Sequence, residues 1–207
     1  MRVELIDYTP LSTCCRAIRT CWDSFDKGGL YDKPTDKITE SDGELMFRVI
    51  KKNKHASTSE HLVYQFHINN ISRALLQELA RHRHASLSVR STRYTLTQLK
   101  NIDIITRNEL ENYCVLTGDD FVDNNSYLAL INLQQAIKNG IPNDKAKFCL
   151  PDSLKTELIY TINARSLQNL LSLRTNPSAM WEFRALAYEI YNSLPESHRF
   201  LFEVYEV

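Results

Sequence analysis

Residues 60–83 read EHLVYQFHINNISRALLQELARHR, and the stretch changes period partway. Up to Ile68 it alternates. Leu62, Tyr64, Phe66 and Ile68 point one way and His61, Val63, Gln65 and His67 the other, the two-residue repeat of a half-buried strand. From Ile71 the repeat becomes helical, through Leu75, Leu79 and His82. The same succession recurs at 156–174, TELIYTINARSLQNLLSLR. There Thr156, Leu158, Tyr160 and Ile162 alternate, and RSLQNLLSLR reads as a helix. With no internal repeat, low-complexity tract or separating linker, the pattern predicts one α+β domain over 1–207, a mixed or antiparallel sheet packed by helices.

The flanking segments fit this plan. VELI at 3–6 reads as a short strand. Cys14, Ala17, Ile18, Cys21, Trp22 and Phe25 recur at helical spacing, with Ser12 as N-cap. The polar segment 26–37, with Gly28, Gly29 and Pro34, reads as a loop and a candidate for mobility. Ser41 and Glu44 have capping-box spacing ahead of Leu45, Met46, Val49 and Ile50. A helix is expected over 124–139, ended by Gly140, and Asn176-Pro177 opens a last helix, SAMWEFRALAYEIYNSL.

Lys+Arg and Asp+Glu both number 25, so the formal net charge is zero. Proteins that grip long nucleic acid usually carry a basic excess, because phosphate neutralisation supplies much of their affinity. Yet residues 81–94, RHRHASLSVRSTRY, hold four arginines, two histidines and four serines and threonines, with no acid from Leu79 to Ile102. Local charge in a neutral chain points to a small anionic ligand, not a nucleic-acid polymer. Guanidinium forks match phosphate oxygens, and serine and threonine hydroxyls complete such a cradle; a solvated basic face is the alternative. NARSLQN at 163–169 sets Arg165 and Asn169 one turn apart, with Asn163 before them and Arg174 projecting elsewhere. This set suits a phosphate or anionic heterocycle, or else helix capping and surface pairing.

Five cysteines, an odd number without a CxxC pair, argue for reduced thiols. The six histidines show neither HExxH nor zinc spacing, so no metal is expected. Ser91 lies among arginines but has no GxSxG elbow or evident base, and reads as a hydrogen-bonding group before a nucleophile. Cys149 in KFCLP has no activating neighbours. No apolar run suits a signal peptide or a membrane span, so a soluble, cytoplasmic protein without a membrane partner is expected.

Arg81-His82-Arg83, seven residues and then Ser91 form the pattern RHRx7S, which resembles the signature of the flavin-dependent thymidylate synthases. HASTSEH at 55–61, AKFCLP at 146–151 and NARSLQNLLSLR at 163–174 resemble further blocks of that family, in the same order. The resemblance implies a homotetramer with active sites shared between subunits, bound FAD, and NADPH and 5,10-methylenetetrahydrofolate as co-substrates in the conversion of dUMP to dTMP. It implies flavin contacts from His55, Ser57, Glu60, Arg81, His82, Arg83, Val89, Asn163, Arg165 and Asn169. It implies nucleotide contacts from Glu78, Arg81, Val89, Arg90, Ser91, Thr92, Arg93, Lys147 and Arg174, with Arg174 as the catalytic group beside the uracil. Val89 stands where some members carry an acid, Lys147 where others have arginine, and Glu78 where others have an amide. A non-catalytic nucleotide-binding module and a single-stranded RNA binder using Tyr94 are the competing readings.

Overall fold

The computed structural model describes residues 1–205; the last two residues of the expected 1–207 domain lie outside the described residues. Strands β1 (Arg2–Tyr8), β2 (Val63–Ser72), β3 (Ala85–Val89) and β4 (Lys155–Asn163) form a four-stranded sheet in the order β1-β2-β4-β3. The sheet is antiparallel and packed by helices, an α+β architecture. The alternation read in the sequence is the burial pattern: Leu62, Tyr64, Phe66 and Ile68, and Thr156, Leu158, Tyr160 and Ile162, are all buried. The longer helices are α1 (Leu11–Cys21), α2 (Glu40–Met46), α3 (Arg73–Leu79), α4 (Asp120–Lys138), α5 (Ala164–Arg174) and α6 (Trp181–Ser193).

The chain forms two compact units. The first comprises Met1, Ile68–Ala80 and Ser88–Leu158. Here α4 sets Leu130, Leu133 and Ile137 in one apolar cluster with Leu96, Leu99, Ile105 and Leu110. Buried Gln134 fastens the irregular segment beside them. Its Nε2 donates to the Asp103 carbonyl at 2.7 Å and its Oε1 accepts from the Ile105 amide at 3.2 Å. A buried amide must be satisfied in this way, or it costs more than it contributes.

The second unit comprises Arg2–His67, Arg81–Leu87 and the chain from Ile159 on. In it α5 packs on α6, α6 on β1 and α1 on α2. The segment 26–37 is tied down at two carboxylates, buried Asp42 and half-buried Asp36. Asp42 accepts from Arg19 Nη2 at 2.7 Å, the Gly29 amide at 2.9 Å and the Tyr31 hydroxyl at 2.6 Å. Burial alone would raise its carboxyl; the Tyr31 bond, the Arg19 bond and charge and the Gly29 bond hold it below the usual carboxylate range. Asp36 accepts from Tyr8, the Leu11 amide and His198 Nε2, while Tyr64 donates to His198 Nδ1 at 2.8 Å. Gly29 is required: its φ is +81°, and a Cβ there would lie 2.4 Å from Arg19 Cγ.

Element ends differ from the sequence expectation where tertiary partners claim the capping groups. Pro10 precedes α1, and the Ser12 hydroxyl, inside the helix, accepts from the Thr35 amide. Thr39, not Ser41, caps α2. The N3 carboxylate is then Asp42, and Arg19 draws it away from the capping-box geometry. Ile71 stays on β2, Ser72 caps α3, and α3 ends at Leu79, so His82 lies beyond the helix. Helix α4 starts at Asp120, capped by Asp119. Asn176 forms a turn with Ser178, and α6 starts only at Trp181.

Candidate functional site

Helix α5 carries candidate ligand groups on two opposite sides, a polar row on one and Arg174 at the end of the apolar other. At about 100° per residue, Asn169 lies one turn above Arg165, and Arg174, nine residues on, lies about half a turn round. Leu167, Leu170 and Leu171 are buried on the same side as Arg174, which continues that face at the C-terminal end of the helix. Two different ligands, or two parts of one, can therefore meet the same helix.

On one face, Arg174 is held by two aromatic neighbours. Its Nε donates to His82 Nε2 at 3.1 Å, and its guanidinium carbon sits 4.4 Å from the centroid of the Phe183 ring. His82 meets Phe183 edge-on at 5.5 Å. Stacking on an aromatic face and a bond at Nε fix the plane of the guanidinium, which a lysine could not reproduce. Phe183 is wholly buried, so this platform belongs to the core. Arg81 and Arg83, flanking His82, are exposed.

On the other face, Arg165 and Asn169 line a cleft of about 320 Å3. Gln168 and Ser172 line it as well, completing the i, i+3, i+4, i+7 row, and Lys51 and Lys54 face the same space. The sequence reading missed these four; the polar periodicity of α5 was the available signal for the first two. Arg165 pairs with Glu60 at 2.5 Å. Glu60 belongs to the 3-10 turn Ala56–His61, which packs on α5. In HASTSEH, Thr58 and Ser59 turn inward while His55, Ser57 and Glu60 are exposed, so the expected ligand positions are the accessible ones. Asn163 caps α5, its Oδ1 accepting from the Ser166 amide at 2.9 Å. The capping and pairing interactions weighed in the sequence are thus present at Asn163 and Arg165.

The loop expected to hold the nucleotide lies in the first unit. Val89 ends β3 half-buried, and Ser91 precedes the helical turn Thr92–Thr95. The stretch free of acids in sequence meets one in space: the Arg90 amide donates to the Glu157 carbonyl at 2.9 Å, and its guanidinium lies 3.7 Å from the Glu157 carboxylate. Arg90 and Thr92 line a cavity of about 310 Å3 with Asn112 and Lys155. Arg93 lines another, of about 480 Å3, with Thr97, Lys100 and Asp144. Glu78 is half-buried on α3, and Lys147 is exposed at the start of the 3-10 turn Lys147–Cys149. The expected flavin set, Val89 apart, therefore falls in the second unit. The expected nucleotide set is divided, with Arg81 and Arg174 in the second unit and the rest in the first.

Among the described residues no group of three or more His, Cys, Asp or Glu is placed to hold a metal ion, and no helix is long and apolar enough to cross a membrane. Exposed arginines with amide and hydroxyl donors beside them are groups of the kind that suit small anionic ligands. Residues 4–198 match the family model described as thymidylate synthase complementing protein. The chain is 53% identical over 206 residues to the flavin-dependent thymidylate synthase of Campylobacter jejuni (strain RM1221), covering 98% of this chain and 96% of that one. It is 45% identical over 213 residues to the flavin-dependent thymidylate synthase of Helicobacter pylori (strain J99), covering 98% of each. A crystal structure of the flavin-dependent thymidylate synthase from Helicobacter pylori, complexed with FAD and dUMP, is similar with a TM-score of 0.89 at 44% identity over 98% of each chain. The chain belongs to the flavin-dependent thymidylate synthase family.

Proposed function

We propose that this chain catalyses the reductive methylation of dUMP to dTMP, with bound FAD, NADPH as electron donor and 5,10-methylenetetrahydrofolate as carbon donor. The observation that carries the reading is the guanidinium of Arg174, clamped by His82 and Phe183. Methylation at C5 of a uracil needs electron density at that carbon. A planar cation beside N3 and its adjoining carbonyl stabilises the anionic ring and raises that density. The alternative, addition of a thiolate at C6, finds no ready nucleophile among the buried cysteines and would have to use the exposed Cys21 or Cys149. Burial pushes the Cys14 and Cys15 thiols up to about 12 and raises that of Cys114.

The donors on the other face of α5 fit the anionic part of the cofactor. Arg165, Asn169 and Ser172 offer cationic, amide and hydroxyl donors to phosphate oxygens. FAD, when bound, supplies the hydride for reduction. Ser91 and the arginines around it bind and orient the nucleotide phosphate. A cleft of about 320 Å3 lies at the low end of small-molecule sites, roughly 300–1,000 Å3. It suits a fragment of the dinucleotide, in keeping with a homotetramer whose subunits share each site. Residues 1–207 act as one functional domain, in the cytoplasm; the unbroken family match over 4–198 supports the first statement.

The test is anaerobic. The purified protein is reduced with NADPH, then given methylenetetrahydrofolate with and without dUMP. Flavin reoxidation coupled to dTMP, and dependent on dUMP, is expected. A colourless protein that FAD cannot reconstitute, or reoxidation without dTMP, sinks the proposal.

A further inference from the structure

Two lysines share the cleft of Arg165 and Asn169, and both sit where the backbone leaves regular geometry. Lys51 lies in the π-helical turn Phe47–Lys52 that continues α2. Such wider turns are frequent at functional sites. Lys54 has a φ of +54°, in the left-handed region that a long side chain rarely adopts. Asn53, of a type that takes this conformation more readily, stands beside it with a φ of −86°. Backbone strain held at a cleft by a charged residue points to a use for that residue.

The electrostatics agree. Lys51 is largely covered, and its Nζ donates to Glu203 Oε1 at 2.6 Å, while the Glu203 side chain is 80% exposed. The bond and charge of Lys51, with Lys54 adding, hold the Glu203 carboxyl below its ordinary value. Three cations, Lys51, Lys54 and Arg165, thus line one cleft. The carboxylates paired with two of them, Glu203 and Glu60, are both well exposed. An exposed carboxylate can swing into water when a stronger anion arrives, so neither state leaves a covered cation unpaired.

We propose that Lys51 and Lys54 are phosphate-binding residues of the flavin dinucleotide site, with Glu203 as the resident counter-ion of Lys51 that the diphosphate displaces. This rests on the reading of the chain as an FAD-dependent enzyme. Ammonium groups with three donors each suit phosphate oxygens that present changing angles, complementing the fixed fork of Arg165.

The test is titration of the apo-protein with FAD at low and high salt, for the parent and for Lys51→Ala, Lys54→Ala, Lys54→Gly and Glu203→Gln. Each lysine substitution should weaken FAD affinity about tenfold, the scale of one charge-assisted hydrogen bond, and should reduce the salt dependence. Glu203→Gln should tighten binding. Lys54→Gly separates ligand contact from folding: glycine relaxes the left-handed backbone, so the apo-protein should melt no lower than the parent while FAD affinity still falls. A parent that binds no flavin defeats the functional reading, and this inference with it. A parent that binds flavin, with lysine variants equal to it in affinity and salt slope, defeats the inference alone. Unchanged FAD affinity with a raised NADPH KM would also overturn it, assigning the lysines to the other dinucleotide.

Discussion

Replacing Arg174 by alanine removes a guanidinium whose orientation the protein has already set, through the Nε bond to His82 and the Phe183 ring 4.4 Å away. Preorganised donors aimed at developing charge are worth about 3–4 kcal/mol of transition-state stabilisation, so dTMP formation should fall roughly 10²–10³-fold. The fold should survive. A cation–π contact on a half-covered residue contributes about 0.5–1 kcal/mol and the hydrogen bond about 1 kcal/mol. At about 2–4 °C per kcal/mol for a chain of this size, Tm should drop by several degrees at most. Arg174→Lys keeps a charge but loses both the planar stack and the Nε donor, and should recover no more than about tenfold of the lost rate. The assay has three arms on the same preparations: retained FAD, its reduction by NADPH, and dTMP produced. The first two should match the parent while the third collapses. A variant that loses its flavin, yet methylates normally once FAD is in excess, would place Arg174 in the cofactor site and refute the proposed activation of dUMP.

If Ser91 orients the nucleotide as proposed, Ser91→Ala should lower dTMP formation but leave measurable turnover; a trapped covalent Ser91–nucleotide adduct would overturn that role. Asp42→Asn strands the buried guanidinium of Arg19 and should cost about 3–5 kcal/mol in urea unfolding; a loss below about 1 kcal/mol would show that the loop 26–37 is not anchored there. Folding stability should fall with acid. Burial depresses the His198 imidazole pKa, against the opposing pull of Asp36, so the unfolded chain takes up that proton first; the stability it contributes is complete above about 6.5 and is lost as pH falls through the lower folded value. Asp36 adds to this with the same sign, in a more acid range: burial would raise its carboxyl, but its bonds from His198, Leu11 and Tyr8 hold it low. Urea midpoints for the parent should therefore decline from mildly alkaline to mildly acid pH, and His198→Gln should flatten that decline; an equal slope in the variant would contradict it.

Local periodicity was enough for much of this molecule. The alternation of Leu62, Tyr64, Phe66 and Ile68 follows from the pleat, since successive side chains of a strand must face opposite ways, and their burial was readable without coordinates. The separation of Arg165 and Asn169 from Arg174 follows in the same way from the turn of a helix. The RHRx7S block marked where cationic chemistry would concentrate. What it did not reveal was which groups those cations meet, because pairing partners arrive from far along the chain. His82 meets Arg174 across 92 positions, Glu60 meets Arg165 across 105, Glu203 meets Lys51 across 152, and Asp36 meets His198 across 162. The helix caps shifted for the same reason: Ser12 and Asp42 have donors and acceptors that serve a cap or a distant partner equally well, and only packing decides between them. The left-handed backbone of Lys54 and the π-helical turn before it have no sequence signal at all, since Lys51 and Lys54 are ordinary helix formers whose conformation is imposed by the fold around them.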